Sequence, residues 1–453
     1  VPEVGHQHTG LRDGYIYDGN PMAGMVPPLI RPFAGLRPAP GFATDVLAPP
    51  YDVLNTEEAR ARAEGHPWSF LHISRPEIDF PEGVNPYDPA IYAKAAENLE
   101  RMMDQGVLIR NTCDCYYTYR IIMNDHVQTG LVTAASVDAY NSGRIRKHEF
   151  TRPDKEDDRT HQIEALNAQT GPVFLACRAS GAVNRLLAQV AEGEPDMDVT
   201  ANDGIRHMLW VIDDATRIAE LDAAFATMDT LYIADGHHRA AAAARVAAAR
   251  NQHTPGAGEQ AWDYFLAAIF PHDQLRILDY NRVITDLNGL STDAFLSCLA
   301  IAFSVVPMKA PVRPTTRTEF GMFLSGRWFC LRLRPDLVPD DDPVGRLAVS
   351  LLADNLIAPI LGIDDPRCDA RIDFIGGVRG LEALEQRVDS GQMAVAFSLY
   401  PTSMEELMAV ADCGTVMPPK STWFEPKLAD GVVSYLLDGQ LTKQVQHAVQ
   451  TTM

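Results

Sequence analysis

The run Leu231-Tyr232-Ile233-Ala234-Asp235-Gly236-His237-His238-Arg239, with the Ala-rich stretch 240–250 behind it, decides the fold class. Its first four residues form an apolar run with the length and flanks of a buried strand. Eight of the eleven residues at 240–250 are Ala, the strongest helix former. Strand, tight turn and helix in direct succession predict a mixed α/β (α+β) protein.

Working outward, the spacing of Ile91, Ala95, Leu99 and Met102 predicts a helix over 89–105, and 218–228 reads as another. Strands are expected at 116–123, 131–140, 172–177, 209–212, 264–270 and 275–280. Farther on, 347–361 and 404–411 read as helices and 394–399 as a strand. Residues 1–29 read as an extended arm, and the proline-rich 30–53 as a rigid, irregular loop. Three prolines and four aspartates at 335–343 oppose both helix and sheet. That run is the expected linker between a region at 30–334 and a C-terminal α/β region at 344–453.

A formal net charge of −21 repels phosphate backbones and anionic lipid, so nucleic acid and membrane surfaces are not expected partners. The most apolar run, 262–270, is short and carries Asp263, too little to span a bilayer. No basic segment followed by an apolar one opens the chain, and the seven cysteines are few and scattered, so a reducing cytoplasm is expected. Cys113 and Cys115 have no second pair at zinc spacing and read as ordinary thiols.

Four stretches carry candidate chemistry. At 235–239 the helix start offers free N–H groups and a positive dipole end to an anion; Gly236 permits close backbone approach, and His237, His238 and Arg239 can add donors. Asp235 either caps the helix or coordinates Mg²⁺. At 144–161, six of eighteen residues are Lys or Arg, an excess that points to an anionic ligand or to internal ion pairs with the five interleaved acids. At 364–373, four acids alternate with two arginines, and 369, 371 and 373 would share a strand face. At 417–427, Pro418 and Pro419 remove the backbone donors of a true P-loop, yet Lys420, Ser421, Thr422 and Lys427 can reach an anion beside Trp423 and Phe424. The motifs of serine hydrolases, dinucleotide oxidoreductases and thioredoxin-like proteins are missing.

Pro32-Phe33-Ala34-Gly35-Leu36-Arg37-Pro38, the 48–53 stretch, His148-Glu149-Phe150-Thr151, Lys155-Glu156-Asp157-Asp158-Arg159, the 235–239 turn, Asp365-Pro366-Arg367 and 417–427 together resemble the domain of unknown function 1015 family. The turn itself is similar to the phosphate-binding turn of the free serine kinases in the ParB/sulfiredoxin-like superfamily. His237 stands where sulfiredoxins place a Cys, and the basic helix-turn-helix of ParB proteins has no counterpart here.

The kinase resemblance implies a ParB/sulfiredoxin-like core and phosphoryl transfer from ADP or ATP, with Mg²⁺, to the hydroxyl of a small metabolite, serine being the first expectation. It implies phosphate binding by Gly236, His237, His238, Arg239, Lys155 and Arg159. Glu149 is the expected base, with Glu156 or Asp157 behind it, and Asp235, His237 and His238 are expected to assist. His148, Tyr51, Asp52, Arg367, Lys420, Ser421, Thr422 and Lys427 are expected around the acceptor, and a homodimer is an open expectation. Two other readings stand beside this one: a non-catalytic nucleotide-binding module, and a metal-dependent hydrolase of a phosphorylated or carboxylated metabolite using the aspartates at 364–373 and the His of the turn.

Overall fold

The computed structural model describes residues 27–255 and 258–438; all but the last three residues of the expected N-terminal arm lie outside the described residues. Strands β1 (Ile30–Arg31), β2 (Tyr116–Met123), β3 (His126–Ser136), β4 (Ile145–Arg146), β5 (Val173–Cys177), β6 (Met197–Thr200), β7 (Arg206–Ile212), β8 (Leu231–Asp235) and β9 (Tyr264–Pro271) form one nine-stranded sheet. The order is β4-β8-β5-β9-β3-β2-β7-β6, with β1 paired to β3. β4 runs parallel to β8 and β9 parallel to β5, while the other neighbours are antiparallel. The mixed sheet expected of an α/β protein is present. All eight residues of β9 are buried, which is why its sequence is continuously apolar rather than alternating.

Helices α1 (Pro89–Asp104), α2 (Pro153–Leu166) and α3 (His237–His253) lie together, α2 touching both others. The alanines of α3 let it approach closely, and Ala240, Ala241, Ala242, Ala243 and Ala247 are buried. The expected strand at 131–140 stops at Ser136. There the Ser136 hydroxyl accepts from the Ala139 N–H (3.1 Å) and starts a short helix, Val137–Asn141.

A second, six-stranded antiparallel sheet contains β10 (Tyr280–Ile284), β11 (Phe303–Met308), β12 (Glu319–Leu324), β13 (Arg327–Leu333), β14 (Ile372–Gly376) and β15 (Val395–Ser398), in the order β11-β13-β12-β15-β10-β14. Because β10 pairs with both β14 and β15, the residues 335–343 join two parts of one sheet. The division expected there is corrected: prolines and aspartates break local structure, but sheet membership is set by pairing between distant strands.

The chain then returns to the first sheet's surroundings. Trp423–Phe424 pairs with Ile277–Leu278, Tyr435–Leu436 pairs with Ala168–Gln169, and Asp430 bridges to Ala48. This return carries the 417–427 stretch to the end of β8. No helix among the described residues is long and apolar enough to cross a membrane.

Candidate active site

Gly236 is the residue ahead of α3 and has φ +94°, a left-handed conformation that side chains avoid; an added Cβ would stand 2.8 Å from Arg239 Nε. Asp235 does not cap the helix. Its Oδ1 accepts the Gly236 N–H (2.9 Å), and its Oδ2 lies 3.2 Å from Lys427 Nζ and 3.7 Å from the Arg239 guanidinium. Burial pushes this carboxyl up, but Lys427 and Arg239 outweigh it and hold it well below the ordinary range. A carboxylate already answered by two cations is a poor magnesium ligand, so the expected Mg²⁺ role of Asp235 does not fit the residues around it.

The segment between β4 and α2 runs beside this turn. The His148 N–H donates to His237 Nε2 (3.4 Å), the two rings meet edge to face with centroids 4.4 Å apart, and the His148 carbonyl accepts from the Met417 N–H (2.8 Å). Burial pulls the His148 imidazole down to about 4 and that of His237 well below its usual value, so both are neutral at pH 7. His238 is also lowered by burial and accepts the Arg152 N–H through Nε2 (3.0 Å). Burial raises the Glu149 carboxyl, with Lys420 opposing and Asp235 adding to the effect.

A cavity of about 980 Å³ opens against these residues, lined by Tyr51, Asp52, Glu149, Lys155, Arg159, Asp235, His238, Arg367 and Lys420. Its aromatic wall includes Tyr87, Tyr92 and Phe374, and Phe150, 71% exposed, stands at the rim. A smaller cavity of about 190 Å³ shares Asp52, Glu149, Asp235 and Lys420 with it and adds Ser421, Thr422, Trp423 and Lys427. The C-terminal stretch and the 235–239 turn therefore meet in one place.

Arg159 is held by Asp158 (2.7 Å) with its guanidinium 4.2 Å from the Tyr51 ring centroid, and Lys155 donates to the Tyr87 hydroxyl (2.9 Å). Lys420 forms no ion pair among the described residues and sits at φ +58°, a strained backbone retained at the wall of both cavities. The buried Ser421 hydroxyl donates to the Pro418 carbonyl (2.6 Å) and so shapes the loop at the wall of the smaller cavity.

Other expected residues lie elsewhere. Glu156 is bonded to Thr151 and Arg245, and Asp157 pairs with Arg245 (2.7 Å); neither lines the cavity, so the reserve bases are corrected to partners in a helix-to-helix ion pair. Arg239 faces a separate small void with Tyr51, Arg159 and Asp430. Gly236, His237 and His148 stand behind the cavity wall. Three of the four acids of 364–373 have cation partners, Asp365 in Arg367 (2.8 Å), Asp369 in Arg371 (2.7 Å) and Asp373 in Arg387 (3.0 Å), while Asp364 has no ion pair among the described residues. Strand β14 begins only at Ile372, so residues 369, 371 and 373 share no strand face. Pairing of three of the four aspartates disfavours them as ligands of the metal that the hydrolase reading needs.

Two contributors escaped the sequence reading. Buried Arg282 donates to the carbonyls of Lys420 (3.0 Å) and Tyr280, holding the loop from the second sheet; its sequence neighbourhood, with Asp279 and Asn281, does not mark it. Buried Asp430 accepts the Tyr51 N–H (3.1 Å), and burial raises its carboxyl to about 7 against the opposing Arg239; nothing in its sequence neighbourhood marks it.

The family model described as "Protein of unknown function (DUF1015)" matches residues 30–350. No curated protein matches the chain. Solved structures similar to it include a free serine kinase in complex with AMP, at 14% identity and TM-score 0.33, covering 65% of this chain and 86% of that one. Others are a conserved hypothetical protein from Pyrococcus furiosus (13% identity, TM-score 0.32, 66% and 93% covered) and SbnI with a C-terminal truncation from Staphylococcus aureus (12% identity, TM-score 0.36, 70% and 94% covered).

Proposed function

The chain belongs to the DUF1015 family, whose description carries no activity, and from the geometry of the site we propose that it is a phosphotransferase on a ParB/sulfiredoxin-like scaffold. It moves the terminal phosphoryl group of ADP or ATP to the hydroxyl of a small metabolite, serine being the first acceptor to try. The observation that carries this reading is the shared wall of the two cavities, where Glu149, raised by burial, stands with Lys420 beside the start of α3.

The larger cavity has the volume of a nucleotide site, with cations for phosphates and Phe150 as a stacking surface at its rim. The smaller one takes the acceptor. Glu149 accepts the acceptor's hydroxyl proton as the new O–P bond forms at the terminal phosphorus, and the bond from that phosphorus to the bridging oxygen breaks, leaving AMP or ADP. Lys420 balances the charge developing on the transferred group, and Lys427 with Arg239 fixes Asp235 at the turn.

The test is Glu149→Gln, which keeps the side chain's shape and removes the base. Turnover should fall by about 10²–10⁴-fold with nucleotide affinity retained. Unchanged turnover in this variant would reject Glu149 as the base.

A further inference from the structure

Behind the cavity wall, His148, Glu149 and His237 each offer one ligand atom, and all of these atoms lie within 4.8 Å of one another. His148 Nδ1 is buried without a hydrogen-bond partner. His148 is 2% exposed, so solvent does not answer that nitrogen either, and it is left free to present a lone pair. His237 Nε2 accepts the His148 backbone N–H at a long 3.4 Å, a weak bond that a metal ion at this lone pair would replace.

An orphaned lone pair in a protein interior costs free energy unless something occupies it. The edge-to-face contact of the rings, at 4.4 Å, does not satisfy Nδ1. A cation does. Two imidazoles and one carboxylate are a donor set suited to zinc and poorly suited to Mg²⁺, which takes oxygen ligands.

We propose that His148, Glu149 and His237 bind a zinc-class divalent transition metal, with the fourth coordination position open toward the cavities that Glu149 lines. On binding, the ligand separations contract to about 3.4 Å, the spacing of tetrahedral ligands at zinc distances. Glu149 stands at the cavity wall and supplies most of the movement, while the two buried imidazoles adjust by rotation of their rings. The site does not rest on the phosphotransfer reading. The two share Glu149, and a carboxylate bound to metal is not a proton acceptor, so occupancy and proton transfer exclude one another at that residue.

The full-length protein, stripped with a chelator, would be titrated with Co²⁺ while its visible d–d bands are followed, and Zn²⁺ would then be added. About one Co²⁺ per chain is expected, displaced by Zn²⁺, with affinity reduced about 100-fold or more in His237→Ala and Glu149→Gln. Absence of a Co²⁺ spectrum in the wild type, or affinity undiminished from the wild type in both variants, overturns the site. X-ray absorption of the zinc-loaded wild type needs no variant to fold. Two imidazole nitrogens with oxygen are expected around the metal, and a shell of sulfur or of oxygen alone contradicts the proposal.

Discussion

Replacing Lys427 with Met keeps most of the side chain's apolar stem and removes the charge that lies 3.2 Å from Asp235 Oδ2. The two side chains are only 19% and 29% exposed, so solvent screens the pair weakly. At an effective dielectric constant of about 20 the gross attraction at this distance is about 5 kcal/mol. Relief from desolvating the ammonium offsets part of it, and Arg239, 3.7 Å from the same oxygen, keeps Asp235 partly paired. The expected loss is therefore about 2–3 kcal/mol, below the 3–5 kcal/mol typical when a buried charge loses its only partner. Asp235 has a depressed folded pKa, so its stabilisation is complete above the unfolded value of about 4 and fades only as pH falls toward the folded one; at pH 7 the whole effect is read. Urea unfolding at pH 7 of Lys427→Met, Asp235→Asn and the double variant gives the coupling energy. A coupling below about 0.5 kcal/mol would refute the view that this ion pair joins the C-terminal stretch to the turn.

Asp430→Asn should change the pH dependence of stability. The folded carboxyl, raised by burial to about 7, keeps its proton while the unfolded one ionises near 4, so wild-type stability declines between those values and the variant lacks the decline. The variant's stability relative to wild type should rise by about 4 kcal/mol from pH 4 to pH 8, and a difference independent of pH would contradict this. Gly236→Ala places a Cβ on a backbone at φ +94° and should cost about 1–2 kcal/mol, seen as a lowered thermal midpoint; an unchanged midpoint would show that the turn relaxes freely.

Local signals were read well. The strand at 231–234 and the helix after it follow from an apolar run, a glycine and an alanine tract within twenty residues, whereas the position of Lys420 and Lys427 beside the turn is not legible in their own stretch. What failed was non-local. The second sheet is less legible in the sequence; its edge strand, Phe303–Met308, contains Pro307 and leaves Val306 and Met308 exposed, which blurs the alternation that marks a strand. The 335–343 run looked like a boundary because composition cannot show that Tyr280–Ile284 pairs with Ile372–Gly376 across it. Glu156 and Asp157 read like site acids because their partner, Arg245, lies on another helix and is visible only once α2 and α3 are packed. The pairing of His148 with His237 likewise depends on the strand order that brings β4 alongside β8.

Phosphorus NMR of the purified wild type with Mg²⁺, ADP or ATP, and a hydroxylated acceptor such as serine tests the central claim most directly. A phosphomonoester resonance that grows only when nucleotide and acceptor are both present, matched by loss of the terminal phosphate signal, is the expected result. Nucleotide left intact with serine and with a panel of other small hydroxylated metabolites would contradict phosphoryl transfer at this site.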